Sequence, residues 1–460
     1  MAKLKLPIHI DRGSKLLDDQ TVMLGDAYLK RWKIPVRTRL TIRFGAGRWN
    51  AMATSQSGLV GMRLHESLAQ RMGLTQGSQL CMQYKSNSRT VHLGPLIGVL
   101  VSRVNATRSE SPFGMMTKFC RELTEACRLY GGHVCFFTPN DLPSSAASTL
   151  LAWSYQGRWT KRAIPIPDVI YNRLTSRKLE NLTHVQQFMN DVKSRYGAAV
   201  FNEKYLNKTE VFEVLRQDAA MLPYLPESHL FKKFALLKTM LNRHSSVFFK
   251  PITGSLGKGI IRISKQGEQI VVQSTLMSGI RKQQFASLEG AFPSIAGKLR
   301  QQKYQIQQGL QLMEVGGRPV DFRALVQKGR TGEWSVTSIV GRIAPSGSFV
   351  SNVARGGSLS SAKVVIAKSN LPAATRTIAL TRLRKVSLEL AKSLENRIDA
   401  HFGELGIDLA VDQQGKVWLL EVNSKPSKDD NTPLRSGNIR PSVRQLIEYC
   451  QHLAKFTKKG

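Results

Sequence analysis

Gly406-Ile407-Asp408-Leu409-Ala410-Val411-Asp412 and Val417-Trp418-Leu419-Leu420-Glu421-Val422-Asn423 are two apolar runs of strand length, separated by Gln413-Gln414-Gly415-Lys416. A polar four-residue connection of this kind closes a β-hairpin. Symmetric pairing about it sets Asp412 opposite Val417 and Asp408 opposite Glu421, and opposed residues share a face. Asn423, two residues beyond Glu421, lies on that face as well. Two carboxylates and an amide oxygen are thereby expected together. Like charges directly across a sheet destabilise it. A hard cation held by oxygen ligands removes the conflict, as in a Mg²⁺ site for nucleotide chemistry. An ordinary exposed hairpin with its acidic residues on the wet side reads equally from these residues.

The chain has 460 residues, enough for two or three domains, and 42% of them are hydrophobic, as in globular proteins. No apolar run has the length of a membrane span. The start, Met1-Ala2-Lys3-Leu4-Lys5-Leu6-Pro7, lacks the apolar centre of a signal peptide, so a cytosolic product is expected. Cys81, Cys120, Cys127, Cys135 and Cys450 lack metal-ligand spacing and read as buried free thiols. The net charge of +35 favours polyanionic partners such as nucleotides, acidic peptides or acidic surfaces. Lys and Arg are spread along the chain without a basic block. No helix-turn-helix, zinc-finger or RNP pattern supports nucleic-acid binding, which ranks last among the readings.

Three domains are expected, over residues 1–92, 93–200 and 201–460. The first is β-rich: Arg39–Gly45 alternates, Leu64–Leu74 reads as a short helix stopped at Gly73, and Gln79–Tyr84 and Thr90–Leu93 read as strands. It carries no evident chemistry. In the second, strand Leu96–Val101, helix Met116–Tyr130 and strand Val134–Phe137 form a βαβ unit on a small parallel sheet. The third has a helix from Thr209 to Arg216, strand Val247–Pro251, a helix from Ala374 to His401, the hairpin, and a last helix from Val443 to Lys455.

Gly254-Ser255-Leu256-Gly257-Lys258-Gly259 lies between strand Val247–Pro251 and Ile260-Ile261-Arg262-Ile263. Its glycines let backbone N–H groups approach phosphate oxygens, and Lys250 supplies a point charge. A strand follows where a Walker A loop requires a helix, so this is a flap rather than that motif. In Val320–Gln327, Asp321 and Arg323 share a face. They read as an ion pair or as an arginine aimed at a phosphoryl or carboxylate group. Ser351-Asn352-Val353-Ala354-Arg355-Gly356-Gly357 reads as a surface turn or as a backbone nest with a guanidinium, and Arg342 is a weaker candidate of the same type.

The order of these features is more specific than any one of them. Lys208 at a helix start, Lys250, the 254–259 flap, Gln307-Gln308-Gly309-Leu310, Asp321-x-Arg323, Asn352-x-x-Arg355-Gly-Gly and the Asp408/Glu421-x-Asn423 hairpin resemble the ATP-grasp fold. The wording Phe249-Lys250-Pro251 and Glu421-Val422-Asn423-Ser424-Lys425-Pro426 resembles the YheC/YheD family of endospore coat-associated ATP-grasp proteins, over roughly residues 95–455. The resemblance implies two α+β lobes, preceded by a βαβ pre-ATP-grasp domain and a β-rich N-terminal domain. It implies ATP between the lobes, with Lys208 and Lys250 on its phosphates and Gly254, Ser255, Gly257, Lys258 and Gly259 covering them. Gln308, Gly309 and Leu310 would meet adenine and ribose through backbone groups. Asp408, Glu421 and Asn423 would hold Mg²⁺, usually two ions, with Mn²⁺ as the alternative. Arg323, Arg342 and Arg355 would face the transferred phosphoryl group and the acceptor. The implied activity joins a carboxylate to an amine or thiol through an acyl phosphate. The acid and amine are unnamed, and an acidic or peptide-like substrate and other spore coat proteins are the expected partners. The expected location is the mother-cell cytoplasm or the spore coat. A coat protein that binds nucleotide without turnover is the other reading. Lys425 stands where many ligases of this fold have a small residue, and it is expected to add charge near the metal.

Overall fold

Alternating apolar residues close the first unit on itself. In the computed structural model, strand Thr38–Phe44 belongs to a closed barrel of seven strands between Lys5 and Gly94, filled by Leu6, Ile8, Leu40, Ile42 and Val91. The structure describes residues 5–12, 18–143, 147–252, 259–276, 279–349, 357–428 and 439–456, except the side chain of Lys208. The Leu64–Leu74 segment starts as a strand, Met62–His65, because Leu64 pairs with Ile10 and Val22. The helix is Glu66–Met72, capped by the His65 ring and stopped by Gly73 at φ 69°.

The second sheet runs, in spatial order, Trp159–Pro165, Thr149–Tyr155, His133–Phe137, Leu96–Val101, Val169–Arg173 and Ala199–Phe201. Its last four strands are parallel. Helix Met116–Tyr130 crosses between two of them, its apolar stripe Phe119, Cys120, Leu123, Ala126 and Cys127 buried. All five cysteines are buried thiols outside any disulfide. The sequence reading does not single out the hairpin of Thr149–Tyr155 with Trp159–Pro165, and only residues 166–168 separate it from strand Val169–Arg173.

Two lobes follow. The first is an antiparallel sheet with the inner order Tyr304–Gln308, Ser246–Pro251, Ile261–Gln266 and Gln269–Leu276. Val247, Phe249, Ile261, Ile263 and Ile306 form its core. The second has the order Ser358–Ser361, Trp334–Ile343, Arg318–Lys328, Glu404–Val411 and Val417–Asn423. Helix Ala373–Arg397 covers one of its faces through Leu383, Val386, Leu390 and Leu394. The last helix, Pro441–Leu453, returns to the second unit and packs Val443, Leu446, Ile447 and Tyr449 with Phe119, Leu123 and Tyr171.

The second unit and second lobe also meet through buried charge. Glu404 is fully buried, and its carboxylate meets Lys428 Nζ at 2.5 Å, Arg173 Nη1 at 3.4 Å, Gln327 Nε2 at 3.1 Å and the Tyr171 hydroxyl. Burial pushes the Lys428 ammonium down to about 8 against the opposing pull of Glu404. Removing one partner of a buried pair leaves uncompensated charge. Lys428→Met is therefore expected to cost about 3 kcal/mol, read as a lower urea midpoint of the transition reported by Trp334, which is buried in the second lobe's core.

Candidate functional site

Strand parity divides the second-lobe sheet into two faces. Val320, Phe322, Ala324, Ile407, Leu409, Leu419 and Val422 pack beneath the long helix. Asp321, Arg323, Arg342, Asp408, Glu421 and Asn423 alternate with them and occupy the other face. Cross-strand pairs Asp321↔Arg342, Arg323↔Asp408 and Asp408↔Glu421 bring the set together.

The hairpin reaches this pairing by a route the sequence reading missed. Next to the loop the register is Val411↔Val417, not Asp412↔Val417. Asp412 leaves the strand and closes the turn. Its Oδ1 accepts from Gln414 N at 3.0 Å and Lys416 N at 2.9 Å, and its Oδ2 accepts from Trp418 Nε1 at 2.8 Å. Leu409 pairs with Leu419 but Asp408 with Glu421, so Leu420 is an extra residue. This bulge reverses the parity. Val417 and Leu419 point into the core, and Glu421 and Asn423 onto the polar face. The available signal was the three-residue spacing of Leu419 and Val422, which breaks alternation.

Asp408 is buried, and its neutralising charges come from protein. Arg323 donates through Nε to Asp408 Oδ1 and through Nη2 to Oδ2 at 3.0 Å. Arg342 Nη2 lies 3.1 Å from Oδ2, and its Nε donates to Asp321 Oδ1. Asp321 and Arg323 thus pair across strands rather than with each other. Burial raises the Asp408 carboxyl, but Arg323 and Arg342 outweigh it and hold the group below the usual carboxylate range. The same pairs raise Arg342 above the ordinary guanidinium value despite its burial. An ionised carboxylate has about four acceptor positions. The guanidiniums use three here, leaving one for a cation. Among the described residues, no three His, Cys, Asp or Glu side chains gather as a metal cluster. Besides Asp321, whose Oδ1 accepts from Arg342, the oxygen donors of this set are Asp408, Glu421 and the amide of Asn423.

In the first lobe, Phe248 and Lys250 alternate with core residues Val247 and Phe249 and so lie on the opposite face. That face meets the second lobe, where Phe349 comes to 5.9 Å from Phe248 between ring centroids. Lys250 donates to Gln307 Oε1, and Gln307 Nε2 donates to Ser228 Oγ at 2.9 Å. Gln308 and Gly309 spend their backbone amides within the lobe, on Glu227 O at 2.8 Å and Ser246 O at 2.7 Å. Those two amides are thus engaged within the lobe, so of the backbone groups expected to meet adenine and ribose they are not the free ones. Glycine at 309 is obligatory, because a Cβ would stand 2.0 Å from Ser246 Oγ. Leu310 lies in the segment leading to the isolated Leu312↔Asp412 bridge, where the lobes join.

Gly259, at φ 70°, opens into strand Ile261–Gln266. Gly254, Ser255, Gly257, Lys258 and Arg355 lie outside the described residues, as does the side chain of Lys208 at the start of helix Lys208–Arg216. Lys425 departs from expectation. Its ammonium pairs with Glu180 of the second unit and is almost fully buried, so it adds no free charge beside the hairpin. Arg262 was overlooked. It pairs with Phe248 across strands and therefore shares the face of Lys250. Its guanidinium lies 5.9 Å from the Phe248 ring, its buried Nε has no hydrogen-bond partner among the described residues, and burial lowers its affinity for the proton. The alternation Ile261-Arg262-Ile263 carried that signal. A cavity of about 830 Å³ lies between the turn at Thr75–Gln79 and helix Met116–Tyr130, and none of its lining residues belongs to these faces.

Two lobes, each with a polar sheet face and joined near 309–312, agree with what comparison finds. The model of YheC/D-like ATP-grasp proteins matches residues 197–453. The chain belongs to the YheC/D-like ATP-grasp family. It is 28% identical over 374 residues to the endospore coat-associated protein YheD of Bacillus subtilis, covering 80% of this chain and 81% of that protein. It is 22% identical over 345 residues to YheC of the same organism, covering 74% and 94%. Among solved structures, D-alanyl-alanine synthetase A from Vibrio cholerae matches with a TM-score of 0.44 at 13% identity, covering 79% and 98%. ATP-grasp enzymes bind ATP and Mg²⁺. No helix among the described residues is long and apolar enough to cross a membrane.

Proposed function

We propose that this ATP-grasp protein is an ATP- and Mg²⁺-dependent ligase that activates a carboxylate as an acyl phosphate and joins it to an amine or thiol. The observation that carries the reading is the gathering of two sets of groups, each on one sheet face of its own lobe. Asp408, Glu421 and Asn423 stand with Arg323 and Arg342 on one lobe, and Lys250 with Arg262 on the other. The hard oxygen donors suit Mg²⁺. Glu421 and Asn423 would hold it, with Asp408 offering its remaining acceptor position. Bound there, Mg²⁺ supplies neutralisation of phosphate charge. Lys250 and Arg262 bind phosphate oxygens from the first lobe, with Lys208 and the 254–259 segment completing the grip. Arg323 and Arg342, already oriented by carboxylates, stabilise charge spreading over the transferred group, with Arg355 as a further candidate for that role. A substrate carboxylate takes the γ-phosphoryl group and ADP leaves. The amine then displaces phosphate and loses a proton.

The two curated relatives carry names tied to the endospore coat, and a coat component is the proposed setting of the substrate. The charge of +35 favours an acidic, peptide-like one. The test is ADP release with pooled carboxylates and amines, with and without Mg²⁺. The expected result is release that requires both an acceptor and Mg²⁺. Stabilisation by Mg·ATP through linkage, with no acceptor raising ADP release, would replace this reading by nucleotide binding without turnover.

A further inference from the structure

Asn202 follows the last strand of the second unit's sheet and stands at φ 55°, a left-handed conformation that Asn adopts more readily than most residues. Its side chain is completely buried. Oδ1 accepts from Gly403 N at 2.9 Å and Glu404 N at 3.2 Å, while Nδ2 donates to Glu404 O at 3.2 Å and to Ser424 O. These four bonds exhaust the amide. They also fall at a particular place. The hairpin's ladder ends at Gly406↔Asn423. Asn202 spans the two strands just beyond it, one residue from Asn423 on the second.

The residues after Asn423 are gripped from the same side. Leu206 N donates to Ser424 Oγ at 3.2 Å, Lys425 pairs with Glu180, and Arg173 Nη2 donates to Pro426 O at 2.9 Å. Glu180 is itself fixed by Asn172 Nδ2 at 3.1 Å and Tyr205 N at 2.7 Å. Buried ion pairs are poor sources of stability, and apolar side chains of similar volume hold two units together as well. What polar and ionic contacts add is direction. Here the direction is applied to the strand ends that carry Asp408, Glu421 and Asn423.

We propose that Asn202 is a positioning residue for the cation site, through which the second unit sets the placement of Asn423 and Glu421. The inference rests on the functional reading above. Groups that orient ligands typically cost about 10–100-fold in metal affinity when removed. Asn202→Asp keeps the acceptor for the Gly403 and Glu404 amides and tolerates the backbone conformation, but it removes the donor to Glu404 O and Ser424 O. The experiment is calorimetric titration of Mg²⁺ into the full chain with a non-hydrolysable ATP analogue, alongside analogue binding without Mg²⁺. The expected result for N202D is a rise of about tenfold or more in the Mg²⁺ needed for half-saturation, with metal-free binding unchanged. A lower melting temperature with an unaltered Mg²⁺ requirement would overturn the proposal. If N202D does not fold, the double variant Lys425→Met with Glu180→Met, which removes direction but keeps packing, decides by the same measurement. A wild-type chain that binds no Mg²⁺-nucleotide overturns the functional reading and this inference together. Wild-type binding with unaffected variants overturns the inference alone.

Discussion

Replacing Glu421 with alanine is expected to abolish acceptor-dependent ADP release while the chain stays folded. Glu421 is the carboxylate that the bulge at Leu420 turns onto the polar face, opposite Asp408. The two guanidiniums bound to Asp408 leave that residue little capacity for a cation. Under the proposed function, Glu421 is the carboxylate expected to bring most of the negative charge to Mg²⁺. Losing it should lower turnover on the order of 10³-fold, the scale at which charge-neutralising groups act in phosphoryl transfer. Glu421 is only half-buried, so the stability change should stay near 1 kcal/mol. Steady-state ADP release and a melting curve on the same preparation check both parts. Release at the wild-type rate would remove Glu421 from the site.

Asp408→Ala should instead fail by destabilisation. It strips the anion from between Arg323 and Arg342, all three largely buried. Removing one partner of such a set costs about 3–5 kcal/mol. The buried Trp334 gives a local readout in denaturant. Arg323→Met in the Asp408→Ala background should recover part of the loss, since it removes the charge left alone; an additive double variant would rule out the coupling. The pH dependence has a defined sign. The Asp408 carboxyl titrates below its usual range in the folded chain. Its stabilisation is complete above the unfolded value of about 3.9 and is lost as pH falls through the lower folded value. The difference between wild type and D408A should be flat from about pH 5 to 8 and shrink only in stronger acid.

Much of the site could be read because local patterns encode it. Apolar runs of strand length flanking a polar turn placed Asp408, Glu421 and Asn423 on two paired strands. Alternation around Asp321 and Arg323 put both on one face. The glycines at 254–259 suggested a flap, but all of them except Gly259 lie outside the described residues. Other parts depend on partners distant in sequence. Nothing near Lys425 indicates Glu180, which lies 245 residues away. Nothing near Asp408 selects Arg323 and Arg342 over a metal ion as its counter-charges. Arg262 was visible in the alternation but carried no motif to single it out.

The sequence by itself determined which atoms the candidate site would offer. It specified hard oxygens on one hairpin, cations on other strands, and glycines where backbone must pass closely, because side-chain chemistry and strand period are local. Only the tertiary structure decided how those atoms are used. A bulge chose which side Glu421 faces, guanidiniums from neighbouring strands took most of Asp408, and Asn202 and Glu180 fixed the strand ends. Burial and cross-strand pairing assign charges to partners, and that assignment exists only once segments hundreds of residues apart are in contact.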